Sequence, residues 1–253
     1  MASSPTESAS LTPGAREVLE RARSMPLSYG VRLLAAPGDG ESRLVVVLGE
    51  AHLKLGKASA LGKEIVGQFE LRGVETFQTR QVLAGRALWL LIYLPRLLLR
   101  VLSLGLVKGS TITDAKALPS GHTVEIEKAG SIPLALHATS LYLTALFLVL
   151  FAQIAVSAFG VFVPALAYAV VAFEVHFLAL LPALLLRRRS WSWLIHPAVG
   201  LVTTRDPIMA EGTVRMLREH PGTAPALVIM GRAHLPGYER ELVEKHGFRR
   251  VAG

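Results

Sequence analysis

The sequence predicts an α/β fold, a mixed or parallel sheet with flanking helices, interrupted by an inserted transmembrane helical hairpin. Three observations predict it. A ten-residue phrase is written twice, LVVVLGEAHL at 44–53 and ALVIMGRAHL at 226–235, each an apolar run followed by Gly, two residues, His and Leu. Around each copy, short apolar runs alternate with stretches of helical periodicity. Between the copies lie two apolar stretches, 133–158 and 161–186, each longer than the about 20 residues needed to cross a bilayer.

Random placement of 22 Gly and 8 His in 253 residues gives roughly 0.7 Gly-x-x-His, so the weight of the repeat lies in its context. The phrase describes a buried strand that ends, a glycine that turns the chain, and an imidazole left at the strand's C-terminal edge, where open α/β sheets collect their binding sites.

In chain order, residues 1–16 are rich in Ser, Thr and Pro, without the apolar core of a signal peptide, and are expected to be a disordered leader. A short helix is expected at 15–23. The first half of the α/β domain is assigned to 17–86. Runs at 30–35 and 43–48 read as strands joined by the Pro-Gly-Asp-Gly-Glu turn. A helix follows at 57–70, with Leu61, Ile65 and Phe69 four apart on one face, and then a strand at 71–77 carrying Gly73-Val74-Glu75. Strand, helix, strand at this length implies parallel pairing with a right-handed crossover, with Glu75 on the strand adjacent to that of His52.

Residues 87–132 read as an interfacial helix and connector. The stretch 87–107 is long enough to span, but Arg96 and Arg100 sit on one face near its centre, each costing about 2.5–3.5 kcal/mol to insert. An amphipathic helix lying on the surface, its arginines reaching phosphates, fits better. The alternating Thr-Val-Glu-Ile-Glu run before 131 has the pattern of a short strand.

Residues 133–186 form the hairpin. Its turn is Phe159-Gly160, and Arg187, Arg188 and Arg189 follow it directly, which places the open end in the cytoplasm. If His52 and His234 share one site, their segments lie on the same side of the membrane and the number of crossings between them is even. Two spans satisfy this; a third does not. Glu174 and His176 are costly within a bilayer and are expected to hydrogen-bond to a neighbouring helix or subunit.

The second half, 187–253, repeats the grammar of the first. Asp206-Pro207 reads as helix cap and first helical residue, with the helix running to Glu219 and stopping at Pro221-Gly222. The strand 226–230 delivers the second Gly-x-x-His, Pro236 opens a helix to His246, and 248–251 is a last strand. His122, His137, His196, His220 and His246 have no repeated context and are read as ordinary.

The chain has no cysteine, which excludes disulfides and thiolate chemistry. Its net charge is +8, but no basic run interleaves with aromatics, so nucleic acid is not expected as a partner and an anionic lipid surface is. The apolar hairpin offers a surface for homo-oligomerisation. His52 and His234 are the leading site residues, since imidazole is the commonest metal ligand and general base. Glu75 would complete a two-His, one-carboxylate set for a divalent metal, leaving a position for water. Glu50 is a base or a partner that orients the His52 ring. Arg205 could clamp a carboxylate or an oxyanion, and Asp206 is read first as the helix cap.

Taken together, Gly49-Glu50-Ala51-His52, Gly73-Val74-Glu75, Arg205-Asp206 with Met209, and Gly231 to Gly237 resemble the TraB/PrgY family and the wider superfamily of TIKI metalloproteases, erythromycin esterases and ChaN-like proteins. The resemblance covers 43–77 and 203–251. It implies both histidines and the carboxylate facing one pocket, and a metal-dependent hydrolase or peptidase acting on a peptide or a small ester or amide. It also implies two other expectations: a non-catalytic membrane receptor that sequesters a peptide signal, and a haem binder. In TraB-like proteins the membrane helices are expected at the C-terminal end; here the apolar stretches separate the motif-bearing halves.

Overall fold

The structure, a computed structural model, describes residues 11–38, 42–51, 56–76, 81–104, 110–128, 132–186 and 191–251. His52, the leader up to residue 10, the tip of the 37–41 turn and Arg187, Arg188 and Arg189 lie outside the described residues. The chain forms two compact units, one of Met1–Phe77, Arg100–Lys128 and Asp206–Gly253, the other of Gln78–Leu99 and Ala129–Arg205.

The first unit is built on a six-stranded mixed sheet. Its strands are β1 (Tyr29–Ala35), β2 (Leu44–Glu50), β3 (Leu71–Val74), β4 (His122–Glu125), β5 (Ala226–Gly231) and β6 (Arg249–Arg250), in the spatial order β4-β3-β5-β2-β1-β6. The central strands β2 and β5 are buried along their whole length, as continuous Val, Leu and Ile runs require of strands covered on both faces. Their alternate side chains feed two cores. Val46, Leu48, Leu227 and Ile229 meet α1 (Pro13–Arg23), α2 (Gly56–Gly67) and α4 (Thr111–Ala117) through residues such as Leu19, Ile65 and Ala115. Val45, Val47, Val228 and Met230 meet α9 (Arg205–Glu219) and α10 (Leu235–His246) through Met209, Met216, Tyr238 and Leu242. Each such side chain removed from water contributes about 1.5–3 kcal/mol.

Strand β5 enters between β2 and β3 and is parallel to both. Sequence order suggested that β2 and β3 would be adjacent; instead the strand from beyond the apolar stretches separates them. The reason is hydrophobic. Strand β5 is apolar on both faces, so it gains most at the centre, whereas β4 is exposed or half-buried and stays at the edge. Segments before and after the apolar stretches therefore share one sheet. The first three residues of the Thr-Val-Glu-Ile-Glu run do lie in a strand, β4, which is parallel to β3 and ends at Glu125.

Other boundaries move as well. Residues 13–16 are helical rather than part of a leader: Thr12 accepts a hydrogen bond from Ala15 N at 3.1 Å, Pro13 opens α1, and Ala15 is buried. The connector contains α4, which sequence periodicity did not reveal because it has only seven residues. Residues 191–205 belong to the second unit, not to the second half of the α/β domain.

In the second unit, α5 (Leu134–Ala158) and the stretch Pro164–Leu185 are long and apolar enough to cross a membrane. Gly160, with φ +67°, makes the turn between them. The second stretch is not one helix. It divides into α6 (Pro164–Phe177) and α7 (Leu180–Leu185), because Pro182 has no N–H to offer the carbonyl of Leu178. Helix α3 (Gly85–Leu102) carries Pro95 within it; the Arg96 and Arg100 side chains lie outside the described residues. Helix α8 (Gly200–Thr203) and two 3-10 turns, Ser192–Leu194 and Pro197–Val199, complete the unit. The Thr139 hydroxyl ties α5 to the second turn by donating to Pro197 O at 2.6 Å, a fit that the absence of a side chain at Gly200 permits.

Candidate functional site

The two copies of the phrase come side by side, but one residue out of step: Gly49 pairs with Met230 and Glu50 with Gly231. Neither Gly49 nor Gly231 turns the chain. Both are strand residues without positive φ. Gly49 is required for a close approach instead. A Cβ there would lie 2.4 Å from Leu235 Cδ1, and one at its cross-strand partner Gly30 would lie 2.6 Å from the same methyl. The leucine of the second phrase thus fills the slot opened by the glycine of the first.

His234 ends a 3-10 turn (Arg232–His234) directly after β5 and is buried. Its Nδ1 lies 2.7 Å from Asp206 Oδ1, and its Nε2 lies 3.6 Å from Glu75 Oε1. Asp206 is the second residue of α9, so it is not the helix cap that the Asp-Pro pair suggested; its carboxylate serves the imidazole. An ionised carboxylate only accepts, so Asp206 takes its hydrogen bond from His234 Nδ1, while the other ring nitrogen, Nε2, faces Glu75. The 3.6 Å gap exceeds a direct hydrogen bond.

Glu75 is placed by the ladder. Its N–H donates to Ile229 O at 2.9 Å, extending the pairing of β3 with β5 by one step, and its Oε2 accepts from Gly231 N at 2.5 Å. Gly237, in the first turn of α10, supplies the remaining space, since a Cβ would fall 1.8 Å from Asp206 Oδ2. Helices α9 and α10 are locked together by the buried pair of Tyr238 Oη and Thr213 Oγ1 at 2.7 Å, and burial raises the Tyr238 phenol well above its ordinary pKa.

Glu50 is 1% exposed and points to the opposite face, where it accepts from the Ser110 hydroxyl and from Thr111 N at 3.0 Å. Arg205, which precedes Asp206, is buried. His234, Glu75 and Asp206 are therefore assembled around one imidazole, and Glu50 anchors the start of α4.

Sequence reasoning placed Gly237 and Asp206 within motifs but missed the role of each. A signal for the first was present: a glycine inside the first turn of a helix opened by Pro236 has no capping use and implies a close neighbour. Ser110 and Thr111 carried no such signal.

The site can move a proton and can offer His234 Nε2 and Glu75 Oε1 to a metal. Among the described residues, no group of three or more His, Cys, Asp or Glu converges as a metal site.

The second unit holds another polar cluster. His176 on α6 bonds to a neighbouring helix, as its position predicted: Nδ1 is 3.1 Å from Tyr142 Oη on α5. His196, read as ordinary, joins them with Nε2 at 3.2 Å from the same hydroxyl and its ring stacked on that of His176 at 4.8 Å. Ile195 O, 3.3 Å from His176 Nε2, can only accept, which sets the chain: His196 Nε2–H to Tyr142, Tyr142 O–H to His176 Nδ1, His176 Nε2–H to Ile195. This leaves His196 Nδ1 a bare, buried lone pair without a partner among the described residues. Burial, then the neighbouring His176, lowers the His196 pKa and keeps the ring neutral.

No protein-family model, curated protein or solved structure matches the chain.

Proposed function

We propose that the chain is a membrane-anchored hydrolase of the TraB-like type, a metal-dependent peptidase or a hydrolase of small esters or amides. The observation that carries this reading is the imidazole of His234, oriented by Asp206 on one nitrogen and facing Glu75 with the other, at the C-terminal edge of adjacent parallel strands. His234 Nε2 takes a proton from water as the water oxygen attacks the carbonyl carbon. The Asp206 carboxylate stabilises the imidazolium that forms. The same proton then passes to the leaving nitrogen or oxygen as its bond to carbon breaks. Arg205 is assigned to the developing oxyanion. In the metal-dependent form of the reading, a divalent ion held by His234 Nε2, Glu75 and His52 would polarise the carbonyl and acidify the water, and His234 would then be a ligand in place of the base.

Three features support the membrane assignment. The two apolar stretches leave their side chains uncovered, with 6% of each window buried, unlike the core helix of a soluble protein. A sheet shared by segments before and after them requires an even number of crossings. The three arginines after the second stretch favour a cytoplasmic sheet unit.

A receptor without catalysis is the second reading, favoured by the bond that Gly231 N already makes to Glu75. Metal analysis of the full-length protein in detergent separates them, with His52→Ala, His234→Ala and Glu75→Ala as variants. The hydrolase reading expects metal bound to the wild type and lost from each variant, together with hydrolysis of a fluorogenic peptide or ester panel. Equal metal content in all four proteins would sink it.

A further inference from the structure

Beside β1, where β6 pairs with Leu34 and Ala35 only, lies a cavity of about 590 Å³, within the range of small-molecule sites. Arg23 from the end of α1, Arg32 from β1, Arg232 from the turn after β5 and Arg250 from β6 line it, with Glu239 as the one carboxylate. All four arginines are exposed. Glu239 compensates part of their charge: Oε2 lies 3.1 Å from Arg32 Nε and Oε1 lies 2.5 Å from Arg250 Nε. A second guanidinium nitrogen of Arg32 donates to Val31 O at 3.1 Å, and Arg232 donates to Pro26 O. Arg23 makes no hydrogen bond or ion pair among the described residues. Four cations against one anion leave a surplus of three positive charges around one cavity.

We propose that this cavity is a binding site for a diphosphate or similarly polyanionic phosphate group. The Glu239 bridge shows that Arg32 and Arg250 converge on an anion whose two oxygens lie about a carboxylate's width apart, a spacing that a phosphoryl group shares. A single carboxylate is already present and leaves the surplus standing, so the ligand carries more than one negative charge. Guanidinium forks match phosphoryl oxygens in pairs and stay protonated at any physiological pH. The phosphate belongs either to a soluble molecule or to an anionic lipid headgroup. The site is independent of the hydrolase reading, because none of its charged groups handles the His234 proton.

The test is calorimetric titration of the full-length protein in non-ionic detergent with inorganic pyrophosphate and, separately, with a soluble inositol phosphate headgroup. Saturable binding of pyrophosphate is expected. The double variant Arg23→Gln/Arg250→Gln weakens it by about tenfold or more, and Glu239→Gln, which removes the internal competitor, tightens it by about threefold. The gain in Glu239→Gln keeps the test decisive should the double variant fold poorly. A headgroup that binds about tenfold tighter than pyrophosphate assigns the phosphate to a lipid, and equal or weaker binding assigns it to a soluble ligand. Absence of saturation by about 5 mM of both probes, or affinity that neither the double variant nor Glu239→Gln changes, overturns the proposal.

Discussion

His234 and His196 are both buried imidazoles, in surroundings of opposite kind. His234 stands between two carboxylates just beyond the C-terminal end of β5, so a positive charge on its ring would lie beside an anion. His196 stands among helices with a phenol, a second imidazole and a backbone carbonyl, a chain closed by neutral donors and acceptors. The first arrangement suits proton transfer; the second holds helices together without charge. The lesson is that the residue type fixes what a side chain can do, and its two nitrogen partners fix which of those things it does.

The contrast is broken most severely by Asp206→Asn. An amide can accept from His234 only through its oxygen, and it cannot stabilise the imidazolium. Hydrolysis is expected to fall by about 10³–10⁴-fold with a small change in melting temperature, read as kcat/KM beside a thermal melt. An unchanged rate would remove Asp206 from the mechanism.

Next in size is the slot that positions the second phrase. Gly49→Ala forces a Cβ against Leu235 and is expected to cost about 1–3 kcal/mol, whereas Leu235→Ala costs about 2–5 kcal/mol. The double variant should lose less than the sum, by about 0.5–3 kcal/mol, because the alanine at 49 then occupies vacated space. Strict additivity in denaturation would show that the two phrases do not interlock.

Tyr142→Phe sharpens the other half of the comparison. It removes the hydroxyl that both rings of the neutral chain use and is expected to destabilise by about 1–2 kcal/mol in detergent, while hydrolysis stays at the wild-type rate. A catalytic defect of the Asp206→Asn kind would make the cluster part of the machinery.

The smallest effect comes from an exposed pair on the edge strand β4. A hydrogen bond from Lys116 Nζ, 2.7 Å away, holds the Glu125 carboxyl below its usual range. A depressed carboxyl contributes stability that is present above its unfolded pKa and lost as pH falls through its folded pKa. Because the pair is about half exposed, solvent screening limits the contribution to about 0.5 kcal/mol. Glu125→Gln should therefore melt slightly below wild type at about pH 7 and together with it at about pH 3.

Much of this architecture was legible. The strands of the two phrases, the helices from Pro207 and Pro236 and the hairpin turn at Gly160 follow from apolar runs, proline and glycine, whose effects act within a few residues. The roles of Glu50 and Asp206 were not, because each is set by a partner distant in the chain: Thr111 for one and His234 for the other.

By itself, then, the sequence determined two buried strands ending in the same motif, a pair of helical stretches long and apolar enough for a membrane, and a set of candidate site residues that includes His234 and Glu75. Only the tertiary structure decided that β5 enters between β2 and β3, that Gly49 makes room for Leu235 rather than turning the chain, and that Asp206 orients an imidazole rather than capping a helix. The physical reason is one of range. Periodicity and turn chemistry are local, whereas strand order depends on which apolar surface gains most from the centre of the sheet, and a carboxylate's role depends on which buried donor reaches it first.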